Sequence, residues 1–366
     1  MPPLPRSSSR RRFLRSAALG TGAALLPACA TPMPSADAAR RRPRFPVSDH
    51  CDGRTFFNPR RHLDRSWLEV MKWKLTTRAT PWPDAVAVTP TVPAPLAPGQ
   101  TLAATWIGHA TYLVQTAAGT VLTDPVFSDR VSPVSFAGPR RVHPPGVAFA
   151  DLPAIDVVLL THDHYDHCDL DSLRRLAVAH PRALAVTLLN NAELFRDAGW
   201  TAERIVELDW WETHAATRPA GRIDITATPA RHWSNRATGP RNGRLWGGFH
   251  VRAAGRTVHV VGDTAYDDTM FRDIRTRCGA PELALVPIGA YEPRWFMAEQ
   301  HCNPAEAVQI HRDLGARLSL AQHWGTFPLT DEGRDEPPRA LAAARTDAGL
   351  PEAAFRTPAP GERCLA

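Results

Sequence analysis

Six cysteines are scattered through 366 residues, and no two of them are spaced C-x-x-C. That excludes a zinc ribbon and a thioredoxin-like redox motif. Setting Cys29 aside leaves an odd number, which argues against a complete disulfide framework. The apolar stretch Ser16–Ala28 is too short to span a bilayer as a helix. There is no internal repeat, so stacked-repeat architectures are out. A basic surface is missing as well. The formal net charge is +6, but five of those charges are Arg6, Arg10, Arg11, Arg12 and Arg15, and without that segment it falls to +1. A nucleic-acid partner therefore loses its electrostatic basis.

The N-terminal segment has its own logic. Ser9-Arg-Arg-Arg-Phe-Leu-Arg15 runs into the Ala/Leu/Gly stretch just named, the charged and apolar regions of a twin-arginine export signal. Leu26-Pro-Ala-Cys29 resembles a bacterial lipobox, so residues 1–29 are expected to export the protein to the periplasm and to anchor it through an acylated Cys29. Such a route carries proteins that have already folded. Residues 30–100 are expected to be linker and N-terminal extension. They include a helical segment at 65–75 and a proline-rich connection at 79–99.

From residue 101 the pattern changes to strands, and 101–366 is expected to be the working domain. Thr101–Ile107, Tyr112–Thr116 and Thr120–Thr123 surround Gly108-His-Ala-Thr111. Short apolar runs follow at 157–160, 183–189, 223–228, 244–253, 257–261, 283–288 and 318–322, with helical segments at 170–179 and 304–313. The recurring feature is a short buried strand that delivers a polar residue at its carboxyl end.

The densest of these is Thr161-His-Asp-His-Tyr-Asp-His167. Two histidines one residue apart on a loop can converge on one ion. Asp166 and His167, at the start of the next helix, can face a second. Imidazole with carboxylate suits zinc or iron, and a metal removes the repulsion such a cluster carries when protonated.

H-x-H-x-D-H after a buried strand resembles the signature of the metallo-β-lactamase superfamily. The resemblance implies an α/β (α+β) fold, a four-layer αββα sandwich. It also implies two divalent ions, zinc before iron. His162, His164 and His232 would hold the first ion, Asp166, His167 and His323 the second, with Asp263 bridging. Trp106-Ile-Gly-His-Ala-Thr111, Leu122-Thr-Asp-Pro-Val-Phe127, Pro287–Met297 and His323-Trp-Gly-Thr-Phe327 narrow the likeness to the N-acylphosphatidylethanolamine-hydrolysing phospholipase D family. The Gly289–Met297 stretch is the most specific part, because it has no generic metal-site role.

That family implies a hydrolase attacking a phosphodiester with a metal-bridging hydroxide, releasing N-acylethanolamine and phosphatidic acid. Asp166 and Asp263 carry catalysis, and Tyr165, Gln300, His301 and Arg236 are expected at the substrate. Arg236 enters because the family's basic residue two positions after His232-Trp233 is here Asn235. Asp124 and His109 are candidates to orient ligand imidazoles, or simply to make turn and core hydrogen bonds. Trp233, Trp295, Phe296 and Trp324 would either line an acyl channel or pack the site. Cys168 and Cys302 are read as non-catalytic. His143, His180, His214, His250, His259 and His311 are assigned to packing or surface. Expected partners are a phospholipid or other amphipathic phosphodiester and a membrane surface. Two readings stay open beside this one: a lactonase or other small-molecule hydrolase on the same scaffold, and a metal-binding outer-membrane lipoprotein without catalysis.

Overall fold

Alternation of side chains along each strand decides how the chain layers. In Val157–Leu160, Val157 and Leu159 enter one hydrophobic cluster while Val158 and Leu160 enter another. In Leu283–Pro287, Leu283 and Leu285 join the first cluster and Ala284 and Val286 a third. Strands apolar on both faces must be covered on both faces, and two sheets stacked between helices do this.

The computed structural model describes residues 44–60 and 65–366. The export signal and lipobox expected over 1–29 lie outside the described residues. The first sheet contains β1 (Leu102–Gly108), β2 (Thr111–Thr116), β3 (Gly119–Thr123), β4 (Val157–Leu160), β5 (Leu184–Leu188) and β6 (Ile205–Leu208), side by side in chain order. The second contains β7 (Thr213–Arg218), β8 (Gly221–Thr228), β9 (Gly248–Ala253), β10 (Arg256–Val260), β11 (Leu283–Pro287), β12 (Leu318–Gln322) and β13 (Phe355–Arg356), likewise in order. The final strand, β14 (Arg363–Leu365), returns to the first sheet and pairs antiparallel with β1. In each sheet one half is antiparallel, and the strands β3 to β6 and β10 to β13 are parallel.

Seven α-helices accompany them among the described residues: α1 (Trp67–Thr76), α2 (Leu170–Ala179), α3 (Ala192–Asp197), α4 (Met270–Cys278), α5 (Arg294–Met297), α6 (Pro304–Leu314) and α7 (Glu336–Asp347). Leu173 and Leu176 of α2 and Leu194 and Phe195 of α3 cover the outside of the first sheet. Ile274 of α4, Ile310 and Leu314 of α6 and Leu341 of α7 cover the second. Between the sheets lie Trp106, Tyr112, Trp246 and Phe249, each essentially inaccessible. This is the four-layer αββα sandwich expected from the sequence. Caps fix the helix starts. Ser66 and Glu69 form a reciprocal capping box on α1, and Asn303 and Glu306 do the same on α6, which has Pro304 as its first residue.

Part of the N-terminal extension expected over residues 30–100 packs with the domain expected from residue 101. One compact unit runs from Pro43 to Ala366. Cys51 and Phe56 are 2% and 1% exposed and belong to the core between the sheets. Burial of this kind stabilises by roughly 1.5–3 kcal/mol for a large apolar side chain. Residues 44–60 are thus structural, which the Ala, Pro and Arg of residues 30–49 concealed.

Candidate metal centre

Every expected ligand sits at the carboxyl edge of a strand. Thr161–His167 follows β4, His232 follows β8, Asp263 follows β10 and His323 follows β12 directly. His109 occupies the turn between β1 and β2, and Asp124 directly follows β3. Helix α2 begins only at Leu170, capped by Asp169, so Asp166 and His167 stand on a turn and not on the helix as expected. Three of these residues hold left-handed backbone: His109 at φ 51°, Asp124 at 34° and His323 at 61°. Non-glycine residues adopt this region at a cost, and that strain gathers at functional sites. The packing leaves no slack here, because a Cβ on Gly289 would lie 2.1 Å from the carbonyl oxygen of His323.

All seven expected ligands converge. His164 Nδ1 lies 3.0 Å from His162 Nε2 and 3.2 Å from His232 Nε2. Asp263 Oδ2 is central, 3.0 Å from His323 Nε2, 3.2 Å from His167 Nε2, 3.8 Å from His232 Nε2 and 3.9 Å from His162 Nε2. Asp166 Oδ2 is 3.2 Å from His323 Nε2 and 3.6 Å from His167 Nε2. Two additions were not expected as members of the cluster. His109 Nε2 lies 3.0 Å from Asp166 Oδ2, and His301 Nδ1 lies 3.8 Å from Asp263 Oδ2. The groups able to hold an ion are therefore His162, His164 and His232; His109, Asp166, His167 and His323; and two sets around Asp263.

Outer contacts set which ring nitrogen faces inward. His167 Nδ1 donates to Asp124 Oδ2 at 2.8 Å, and His232 Nδ1 donates to the carbonyl of Gln300 at 2.9 Å. Asp124 also accepts from the Thr161 amide and hydroxyl, so one carboxylate fixes both the loop and the imidazole. This is the support that ligating histidines need. Asp163, which falls between the first two histidines, turns the other way and pairs with Arg244 at 3.4 Å, both buried.

The electrostatics match a cation-binding cluster. Burial and the neighbouring histidines push His162 well below its ordinary value, and burial holds His164 at about 3 and His232 at about 4. These rings are neutral, as ligation requires. Burial pushes the Asp166 and Asp263 carboxyls up, but the imidazoles beside them outweigh it and hold both well below the usual carboxylate range. Burial lowers His323 while Asp263 and Asp166 bring it up to about 9. His167 Nε2 and Asp263 Oδ1 are buried with no hydrogen-bond partner. Each such atom costs about 1–3 kcal/mol unless something satisfies it. Divalent ions fit this donor set of imidazoles and carboxylates.

A cavity of about 290 Å³ opens on the cluster. His164, Asp166, Asp263, His301 and His323 form one end, and Val70, Trp73, Phe296, Met297 and Leu329 the apolar wall. Two cations border it, Arg65 and Arg241, with Arg241 stacked 4.0 Å over the Trp233 ring. Gln300 and Trp233 line it as expected. Arg236 does not reach it: that guanidinium is buried, donating to the carbonyls of Asp163 and Cys168 and stacking on the Tyr165 ring. It clamps the histidine loop. Tyr165 packs with Val126, Val131 and Phe327 and its hydroxyl accepts from the Ala237 amide, away from the cavity lining. Trp324 stacks on Trp106, and Trp295 is 40% exposed beyond the wall formed by Phe296. Arg294, in the specific Gly289–Met297 stretch, ties the His301 carbonyl to Glu306. The thiols of Cys168 and Cys302 are buried and pushed up, Cys168 to about 12, so neither is a thiolate.

Residues 119–324 match the family model for the beta-lactamase superfamily domain. The chain is 40% identical over 268 residues to N-acyl-phosphatidylethanolamine-hydrolyzing phospholipase D 1 of Caenorhabditis elegans, covering 71% of this chain and 75% of that one. It is 34% identical over 245 residues to the mitochondrial N-acyl-phosphatidylethanolamine-hydrolyzing phospholipase D of Saccharomyces cerevisiae, covering 65% and 50% respectively. Among solved structures it is similar in fold to the isothiocyanate hydrolase from Delia radicum gut bacteria, with a TM-score of 0.54 at 22% identity, covering 72% of this chain and 98% of that one.

Proposed function

This chain belongs to the metallo-β-lactamase superfamily, and we propose that within it the protein is a phospholipase D-type phosphodiesterase acting on an N-acylated phosphatidylethanolamine. It is a metal-dependent hydrolase. The single observation that carries the finer reading is the cavity, which joins the histidine–carboxylate cluster to an apolar wall under two arginines.

In this reading His162, His164 and His232 would hold one zinc ion, and Asp166, His167 and His323 would hold a second, with Asp263 available to both sets and His109 close to Asp166. When bound, the ions supply Lewis acidity toward phosphoryl oxygens and lower the pKa of an attacking water. The chain's own residues do the rest. Asp124 and the Gln300 carbonyl keep His167 and His232 turned with Nε2 inward. Arg241 draws the phosphate to the mouth by charge, Arg65 ties α1 to the cavity wall through Glu69 and the Phe296 carbonyl, and Val70, Trp73, Phe296 and Met297 receive acyl chain and exclude water. His301 is held neutral by burial, and its Nδ1 has no hydrogen-bond partner, so it can hydrogen-bond a substrate oxygen. Trp67, Leu68 and Leu75 of α1 are each more than 70% exposed beside that cavity, which supports contact with a lipid surface. Residues 1–29 are proposed to act as an export signal with Cys29 acylated, consistent with work at a membrane.

The test is product analysis in ¹⁸O-labelled water with zinc-loaded protein, offered N-acylphosphatidylethanolamine, a lactone and a short soluble diester. Release of N-acylethanolamine with the label in phosphatidic acid is the expected result, because the water oxygen ends on phosphorus. Turnover of the lactone without the lipid would move the assignment to a lactonase. Retained zinc with no turnover of any substrate would leave a metal-binding protein.

A further inference from the structure

Two buried histidines on the second sheet have no part in the chemistry above. His250 of β9 and His259 of β10 face each other in register, each 1% exposed, with ring centroids 5.8 Å apart. Both ring nitrogens of His250 and Nδ1 of His259 lack any hydrogen-bond partner. Hydrophobic side chains fill the outer face elsewhere on this sheet, as at Ala284 and Val286, so the polar pair is out of pattern. The register extends it into a row. Thr226 lies opposite His250, Thr213 lies opposite Thr226, and the two threonine hydroxyls are 2.8 Å apart. Several unpaired buried polar atoms, at about 1–3 kcal/mol each, persist when a ligand or function compensates for them.

His250 lines a cavity of about 520 Å³ that shares no lining residue with the metal-centre cavity. Arg222 of β8, Arg252 of β9 and Arg277 of α4 surround it, and Asp224 is the one acidic lining residue, already paired with Arg222 at 2.6 Å. The lining is therefore cationic. Arg277 is held 4.3 Å over Trp211, whose backbone sits at φ 73°, a strained conformation for so large a residue. Burial and the nearby Arg252 hold His250 down to about 4, so the ring presents one N–H donor and one lone pair. With Arg222 offset by Asp224, the guanidiniums of Arg252 and Arg277 repel a metal cation. An oxyanion with several acceptor oxygens satisfies the arginines and one ring nitrogen of the imidazole together.

We propose that this cleft is a binding site for a phosphate-class oxyanion, free phosphate or the phosphomonoester of a phosphatidic acid, held by Arg252, Arg277 and His250. It does not rest on the phospholipase reading, since the residues are separate. Metal-loaded full chain is titrated with inorganic phosphate by calorimetry, and with phosphatidylcholine vesicles with and without phosphatidic acid. R252Q/R277Q alters two exposed side chains, and H250Q alters the buried ring. Wild type is expected to show one more phosphate site per chain than R252Q/R277Q, and H250Q to weaken that site about tenfold, the equivalent of one charge-assisted hydrogen bond. Loss of inorganic phosphate binding in the arginine variant assigns the free ion. Loss confined to phosphatidic acid vesicles assigns the lipid head group. Equal stoichiometry and affinity in wild type and R252Q/R277Q for both ligands overturns the proposal, and so does an H250Q variant indistinguishable from wild type. Hydrolysis of a soluble diester in phosphate-free buffer is expected to be unchanged in R252Q/R277Q.

Discussion

Asp124 holds His167 by a 2.8 Å hydrogen bond to Nδ1 while accepting from the Thr161 amide and hydroxyl. A single carboxylate at the end of β3 therefore sets the geometry of a loop that follows β4. Asp124→Asn keeps the shape but offers an amide where two oxygens accept. Zinc affinity is expected to fall about 10–100-fold, as it does when such supports are lost, read by competition with a chromophoric chelator. Asp263→Ala removes the central oxygen and is expected to lower both bound zinc and turnover. A loss of about 4 kcal/mol of charge stabilisation corresponds to roughly a thousandfold in rate. An Asp263→Ala protein with full zinc and full activity would end the two-ion reading.

The exposed face of α1 gives a second prediction. Replacing Trp67, Leu68 and Leu75 together by Ser, Gln and Gln removes three large apolar side chains that are each more than 70% exposed. Vesicle co-sedimentation should weaken by tenfold or more, since each such side chain contributes about 1.5–3 kcal/mol on leaving water. Turnover of a short soluble diester should stay within about twofold, because Val70 and Trp73 on the inner face are untouched. Equal losses on both substrates would mean the helix supports the fold only.

Asp163 and Arg244 form a buried pair just outside the cluster. Burial pushes the Asp163 carboxyl up, and Arg244 opposes it. Arg244→Met leaves an uncompensated buried acid, expected to cost about 3–5 kcal/mol in denaturant unfolding. Arg244→Met combined with Asp163→Asn should recover much of that loss. Without recovery, the contribution of Arg244 is packing and not charge.

His50 supplies a pH dependence. Its Nε2 lies 2.7 Å from Asp209 and its Nδ1 2.7 Å from Asp49, over the face of Trp210. Burial lowers its pKa, but the hydrogen bonds to Asp209 and Asp49 outweigh it and leave the pKa raised. A raised pKa means the folded state holds the proton more tightly than the unfolded chain. The stabilisation is then complete below about pH 6.5, the unfolded value, and disappears as pH rises through the folded value. Unfolding midpoints of wild type and His50→Gln should differ most near pH 5.5 and converge in mild alkali. A gap that widens with pH would contradict the pairing.

The sequence made the site legible wherever a polar residue ended an apolar run. His162, His164 and His323 could be found that way because a strand signal points directly at them. His109 was harder to place, since its membership in the cluster depends on β1 and β2 bringing a turn beside Asp166, a long-range effect. Arg236 misleads for a related reason. Its number in the chain puts it near His232, but the loop folds it under the histidine turn, where carbonyls of Asp163 and Cys168 take its donors. The cavity wall is legible only in part. Phe296 and Trp233 lie beside recognisable residues, whereas Val70 and Trp73 come from a helix that composition placed outside the domain. β6 and β7 are hard to read from the sequence because partly exposed edge strands lack the continuous apolar run that marks the interior ones. Helix α4, rich in arginine, hides a narrow stripe of Phe271, Ile274 and Cys278.

Strand β14 pairs with β1 through Ala103 opposite Leu365, Ala104 opposite Cys364 and Thr105 opposite Arg363. During synthesis on the ribosome, the open side of β1 therefore waits for nearly the whole domain to be translated before it is covered. An uncovered strand margin is a template for pairing with another chain, and contacts this distant in sequence form slowly. Nascent protein would be most prone to self-association in that interval. Even a short deletion or a bulky fusion after Arg363 would prolong it, although no residue of the metal centre lies nearby in sequence.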